Sequence, residues 1–443
     1  MIVVTARGVH PSTDVVHWPS PIVLGLLVVL TGVLAIGSRA ESQGREKPKP
    51  RTRQVQAVSD WAFQKLGSAQ QQLADEQYAE CLATLGKMKE RESLSAQEKA
   101  LMWQTYAYVY SAQGNYEKAA GAFEQCIEMN GLPEGAQLDA QYNLAQLYVF
   151  LERFQKAVTL FAAWMAAAEN PAPSAHYMYA IALTQNEDTQ LATQQARMAV
   201  AKSPEPKEPW LELLLSLYLQ QKQYRNAVVV LDQLVERFPK KVYWTQLSAV
   251  HSELGEHRKA LAALEVAYRQ GMLTKDQELV TLAQLYLYNE IPYKAAEVLE
   301  TGLESKTIDG DADAWELLAT SWLSARERKR AMGPLERAAR LANDGELYAR
   351  LANVQIDQEQ YAAARDSLTN ALRKGKLKDP GNAHLLLGIA SVSDGQWDQA
   401  RKAFESATQY EKTREAARQW LGYIDAEMED REVEEGEHRP AEG

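Results

Sequence analysis

The sequence predicts an all-α protein: a right-handed α-solenoid of about ten helical hairpins, closed by a C-terminal capping helix. Three observations predict it. Only 24 of the 443 residues are Gly and 16 are Pro, below the usual share of ~12%, while Ala, Leu, Gln and Glu are plentiful, which favours helix nearly throughout. An aromatic residue, a small residue and a bulky apolar residue recur in the same order along the chain, as in Trp103, Tyr106, Ala107 and Tyr110 followed by Gly114, Tyr116, Ala119 and Phe123. The small residue of each second helix returns at near-constant spacing. It stands at Cys81, Ala119, Ala157, Ala192, Ala227, Ala260, Ala295, Ala331, Ala364 and Ala400, in steps of 38, 38, 35, 35, 33, 35, 36, 33 and 36 residues.

In chain order, residues 1–40 read as a signal peptide or N-terminal membrane anchor. The run Ile22 to Gly37 is the only long apolar stretch. Its sixteen residues fall short of the ~20 that cross a bilayer comfortably, and small residues stand in cleavage-like settings at its end, Ala35–Gly37, and just after it, Ser38–Ala40. Residues 41–58 are a basic, Pro-containing linker, held extended by Pro48 and Pro50. The repeats fill 59–412. There the small residues let paired helices approach, and Tyr, Leu and Phe fill the gaps between them. Gly114, Gly255 and Gly395 fall where the hairpins turn. Residues 413–428 repeat the first-helix pattern without a second helix, which makes them a cap with Trp420, Leu421 and Ile424 inward. Residues 429–443 are expected as an acidic, disordered tail.

The repeats resemble the tetratricopeptide repeat, with its period of ~34 and its Trp-Leu-Gly-Tyr…Ala…Phe…Pro pattern. The resemblance covers roughly Ser59 to Gln409. It is loosest in the first copy, where Cys81 replaces alanine, and at Pro292, where a turn aromatic is usual.

The search for chemistry returns little. The chain has no Gly-rich phosphate loop, no Gly-x-Ser-x-Gly elbow and no His-Glu-x-x-His. His251 and His257 lie six apart across a turn rather than four apart on a helix. Cys81 and Cys126 fall at packing positions, and Asp309, Asp311 and Asp313 lack the other ligands of a calcium loop. No catalytic residue, cofactor or metal site is assigned. With 48 Lys+Arg against 59 Asp+Glu, net −11, the chain lacks the positive field of a nucleic-acid binder.

The resemblance implies that first helices line a concave groove. The residues expected in it are Tyr108, Tyr142, Gln146, Phe150, Tyr177, Gln284, Tyr288 and Asn353, with Thr320. Such a groove is aromatic and amide-rich, with almost no Lys or Arg. It suits an extended or helical peptide of a protein partner better than the C-terminal carboxylate of a chaperone.

A narrower resemblance concerns Arg51–Met88. Arg51-Thr52-Arg53 and Leu66-Gly67-Ser68-Ala69-Gln70 are similar to the start of exported bacterial repeat proteins found with the TonB energy-transduction system. It implies a non-catalytic periplasmic scaffold, soluble or anchored at the inner membrane, working near TonB, ExbB and ExbD or another envelope complex. Two alternatives stand beside it. One is a membrane-anchored cytoplasmic assembly factor, favoured by the basic residues Arg39, Arg45, Lys47, Lys49, Arg51 and Arg53 after the apolar run. The other is an accessory envelope enzyme, for which acidic pairs would have to face the groove.

Overall fold

The computed structural model describes residues 58–437. The expected signal or anchor segment, nearly all of the linker, and residues 438–443 lie outside the described residues. Those described form 21 α-helices and no strand, and none of these helices is long and apolar enough to cross a membrane.

The chain divides into two compact units at Gln223/Tyr224. The first contains α1 (Asp60–Ala74), α2 (Tyr78–Lys89), α3 (Ala96–Ala112), α4 (Tyr116–Glu128), α5 (Glu134–Phe150), α6 (Phe154–Ala167), α7 (Pro173–Gln185), α8 (Thr189–Ala201) and α9 (Glu208–Gln220). The second contains α10 (Tyr224–Arg237), α11 (Lys241–Glu253), α12 (His257–Arg269), α13 (Asp276–Tyr288), α14 (Pro292–Glu304), α15 (Ala312–Ser324), α16 (Arg328–Leu341), α17 (Glu346–Asp357), α18 (Tyr361–Lys374), α19 (Pro380–Ser393), α20 (Trp397–Ala407) and α21 (Arg414–Glu437). Within each unit the main contacts run between consecutive helices. That is the nearest-neighbour pattern of stacked hairpins, none of which can bury its apolar face alone.

Local chemistry starts and stops these helices. Side chains of Asn115, Asp188, Asp311 and Asp379 accept from backbone N–H groups of the first turns of α4, α8, α15 and α19, satisfying donors that the helix leaves free. Asp311, part of the calcium-like DGDAD stretch, is thus a helix cap. Pro292 stands at the start of α14, a position that tolerates a missing N–H.

Every hairpin turns in one way. The residue five before each small marker lies at positive φ, between 55° and 72°. The N–H after it bonds a carbonyl five residues back, at 2.7–3.0 Å in all ten turns, from Gln77 to Gln72 at one end to Gln396 to Ser391 at the other. This is a Schellman closure, which glycine enters most easily. Only Gly114, Gly255 and Gly395 use glycine. Glu76, Glu152, Glu187, Lys222, Glu290, Arg326 and Glu359 take the left-handed conformation instead, at roughly 1–2 kcal/mol each.

The markers themselves are the packing rule. Each of the ten is the fourth residue of its helix, and each has zero exposure. In the second unit Ala295 and Ala331 sit in one core with Leu279, Leu282, Leu299, Leu318 and Trp322. Cys81 fills the first notch as a free thiol and donates to the carbonyl of Ala69 at 3.1 Å. Cys126 is likewise buried and unpaired with another sulfur, and burial pushes its thiol up to about 12.

Both ends of the described chain are tied down. At the N-terminal end Glu98 of α3 is buried. Its carboxylate accepts from Ser59 N (2.9 Å), Ser59 Oγ (2.6 Å) and Ser95 N (2.8 Å). One side chain therefore joins the caps of α1 and α3. At the other end Ala417 and Ile424 of α21 are buried against Phe404, on which Trp420 stacks at 5.5 Å. Residues 429–437, expected as disordered tail, continue α21 as helix. Glutamate is a good helix former, and a cap docked through Ala417 and Ile424 supplies the nucleus that an isolated acidic peptide lacks.

Candidate functional site: an aromatic face on first helices

Three tyrosines expected in the groove come from consecutive first helices of the first unit, and each leans toward the next first helix. Tyr108 of α3 packs edge-on to Phe123 at 5.6 Å, and the polar side chains of Gln104 and of Asn143 on α5 ease the ionisation that burial opposes at its hydroxyl. Tyr142 of α5 lies 4.7 Å from Trp164 and 5.9 Å from Phe161, and Ser174 of α7 eases the ionisation that burial opposes at its hydroxyl. Tyr177 of α7 stacks on Trp210 of α9 at 5.7 Å. Burial pushes all three hydroxyls up, Tyr177 to about 12, so they stay neutral and serve as hydrogen-bond groups. Gln146 lies half-buried on α5, one turn beyond Tyr142.

Register separates the remaining expected residues. Tyr142 and Tyr177 stand fifteen residues before their markers, Tyr108, Gln146, Gln284, Thr320 and Asn353 eleven before, and Phe150 and Tyr288 seven before. The last pair lies at helix ends. Phe150 packs on Tyr116 at 4.2 Å and Tyr288 on His257 at 4.0 Å, each against the first residue of the preceding second helix. In the second unit Gln284 and Asn353 are exposed, and Asn353 Nδ2 donates to its own helix at Ala349 O, 3.1 Å. Thr320 accepts from Arg350 at 3.2 Å, and Arg350 also pairs with Glu316 at 3.3 Å.

Sequence reasoning missed several residues here. Trp164 stands seven after its marker, where most repeats carry a small residue such as Ala199, Ala267 or Gly302; that oversized residue was the available signal. Asp139 and Glu212 bring carboxylate charge to Tyr108 and Tyr177 respectively. Arg350 is a cation beside first-helix residues where almost none was expected. His251 is buried with Nδ1 2.8 Å from Glu256 Oε2. Among the described residues no group of three or more His, Cys, Asp or Glu is placed to hold a metal ion.

Two tetratricopeptide-repeat family models match the chain, one at residues 107–170, 142–205, 350–407 and 385–437, the other at 215–241. The chain carries tetratricopeptide repeats. Such repeats are interaction scaffolds, stacking helix pairs into extended binding surfaces. No curated protein matches the chain. It is similar in structure to a tetratricopeptide repeat protein from Parabacteroides merdae, with 15% identity over 58% of this chain and 99% of that one, TM-score 0.34. It is also similar to MamA from Desulfovibrio magneticus, with 18% identity over 41% and 96%, TM-score 0.35. A third is YrrB, described as a TPR protein with an unusual peptide-binding site, with 17% identity over 42% and 95%, TM-score 0.34.

Proposed function

We propose that this tetratricopeptide-repeat chain is a non-catalytic scaffold of the bacterial cell envelope that holds a peptide segment of a partner protein along α3, α5 and α7. The observation that carries this reading is the series Tyr108, Tyr142, Tyr177 on three successive first helices. Tyrosine offers a wide amphipathic surface at small entropic cost. Amides of Gln104, Asn143 and Gln146 beside these rings supply donors and acceptors for a peptide backbone. The envelope setting rests on the apolar run at Ile22–Gly37 and on the likeness of Arg51–Met88 to exported repeat proteins of the TonB system. In that setting the partner is a component of a TonB–ExbB–ExbD or similar complex.

The doubly substituted Tyr142→Ala, Tyr177→Ala chain is expected to lose partners that the natural chain recovers from envelope extracts, by about tenfold or more for two interface tyrosines. Equal recovery by both rejects the reading. Sidedness is a separate expectation. An alkaline phosphatase fused after Gly443 is expected to be active, because that enzyme matures only outside the cytoplasm. An inactive fusion, present at full length, favours the cytoplasmic, anchored alternative to which the basic residues Arg39–Arg53 point.

A further inference from the structure

Three helices of the aromatic face, α5, α7 and α9, carry Glu134, Asp139, Glu208 and Glu212 and not one Lys or Arg. The second helices between them, α6 and α8, carry Lys156 and Arg197. The face is therefore aromatic and negative at once, and Asp139 on it is exposed.

The same fold shows what that combination holds. Tyr148 donates to Glu124, and Lys156 of the next helix lies 5.2 Å from the Tyr148 ring centroid and 3.5 Å from Glu124. Lys294 lies 5.7 Å from the Tyr286 ring and 3.2 Å from Glu265. Arg330 lies 3.4 Å from the centroid of Trp322, donates to Tyr293 Oη at 3.2 Å and pairs with Glu300 at 2.7 Å. In all three places a cation is gripped between an aromatic ring of its own hairpin and a carboxylate of the preceding hairpin, through ring quadrupole and charge. At the face itself, Lys207 lies 5.8 Å from the Trp210 ring that stacks on Tyr177.

Resting on the peptide-holding reading above, we propose that the segment bound along α3–α9 is cationic, with Lys or Arg side chains placed over Tyr108, Tyr142 and Tyr177 and drawn to carboxylates headed by Asp139. Asp139 stands three residues before Tyr142 on α5 and is exposed, so the two side chains are neighbours on one helix surface; Tyr108 and Tyr177 in turn feel the charge of Asp139 and Glu212. The selectivity is opposite in sign to that of a groove built for carboxylate tails.

The test uses the full chain and fluorescence anisotropy with three labelled peptides: (Gly-Lys-Arg-Leu) repeated three times, and its counterparts with every Lys and Arg changed to Gln or to Glu. The basic peptide is expected to bind at least about tenfold tighter than the Gln peptide, equivalent to ~1.4 kcal/mol, and the Glu peptide to bind weakest. Asp139→Lys should weaken the basic peptide about tenfold and leave the Gln peptide unchanged. Tyr142→Ala with Tyr177→Ala should weaken both. If the Gln peptide binds as tightly as the basic one and both need the tyrosines, the charge inference fails while the peptide-holding reading survives. If binding follows charge but ignores the tyrosines, or no peptide binds, both fail. A peptide of residues 41–57 that outcompetes the basic probe and binds in its place at the same residues assigns the face to this chain's own linker and overturns the partner proposal.

Discussion

Glu98→Gln is expected to destabilise the first unit by about 2–3 kcal/mol at neutral pH. Burial alone would raise this carboxyl's pKa, but hydrogen bonds from the Ser59 hydroxyl and the backbone N–H groups of Ser59 and Ser95 outweigh burial and hold it at about 2, against an ordinary 4.5. The amide cannot replace the carboxylate, since one of its ends would present N–H to groups that already donate. The pH dependence follows from the direction of the shift. A carboxyl whose folded value is depressed contributes fully above its unfolded value and loses that contribution as pH falls toward the folded one. The gap between natural and Glu98→Gln chains in urea midpoint should therefore be full at pH 7 and should close between about 4.5 and 2. A gap of constant size across that range would contradict the assignment. Hydrogen exchange should place the loss in α1 and α3, whose caps the clamp joins, and in α2 and α4 packed on them.

Ala295→Leu is expected to cost a comparable amount, about 1–3 kcal/mol for the overpacking itself. Ala295 has no exposed surface and lies in one core with Leu282, Leu299, Leu318 and Trp322. Three added carbons have no void to enter, so α14 must move off its neighbours. Repeats couple chiefly to adjacent repeats, so protection should fall first in α13–α16 and least in α19–α21. Thermal melting with hydrogen exchange checks both magnitude and place. An exposed residue of the same helix, such as Glu297, tolerates change through solvent; the notch does not.

The sequence made the framework legible because the packing rule is local and repeated. Ten small residues at a steady interval marked ten second helices, and all ten are buried at one helical position. The turns were legible only where glycine announced a positive φ, at Gly114, Gly255 and Gly395. The other seven turns place Glu, Lys or Arg in the same conformation, and nothing about those residues signals it. Within the candidate site, spacing put Tyr108, Tyr142 and Tyr177 on successive first helices, where the structure also has them. The edge positions of Phe150 and Tyr288 were not, because a displacement of four residues along a helix moves a side chain by a full turn while keeping nearly the same face. Arg350 escaped notice since its partners, Glu316 and Thr320, lie 34 and 30 residues away. In the acidic segment, the charge of residues 429–437 was visible in the sequence, but their continuity with the docked helix α21 was not.

The most direct measurement of the central claim, one packing notch used ten times, is a leucine scan. Leu is placed singly at Cys81, Ala119, Ala157, Ala192, Ala227, Ala260, Ala295, Ala331, Ala364 and Ala400, and each chain is melted beside the natural one. The account predicts that every variant loses stability, with loss of exchange protection centred on its own hairpin and moving along the chain with the substitution. Variants that melt like the natural chain at several of these positions, or that all lose protection in one shared region, would contradict it.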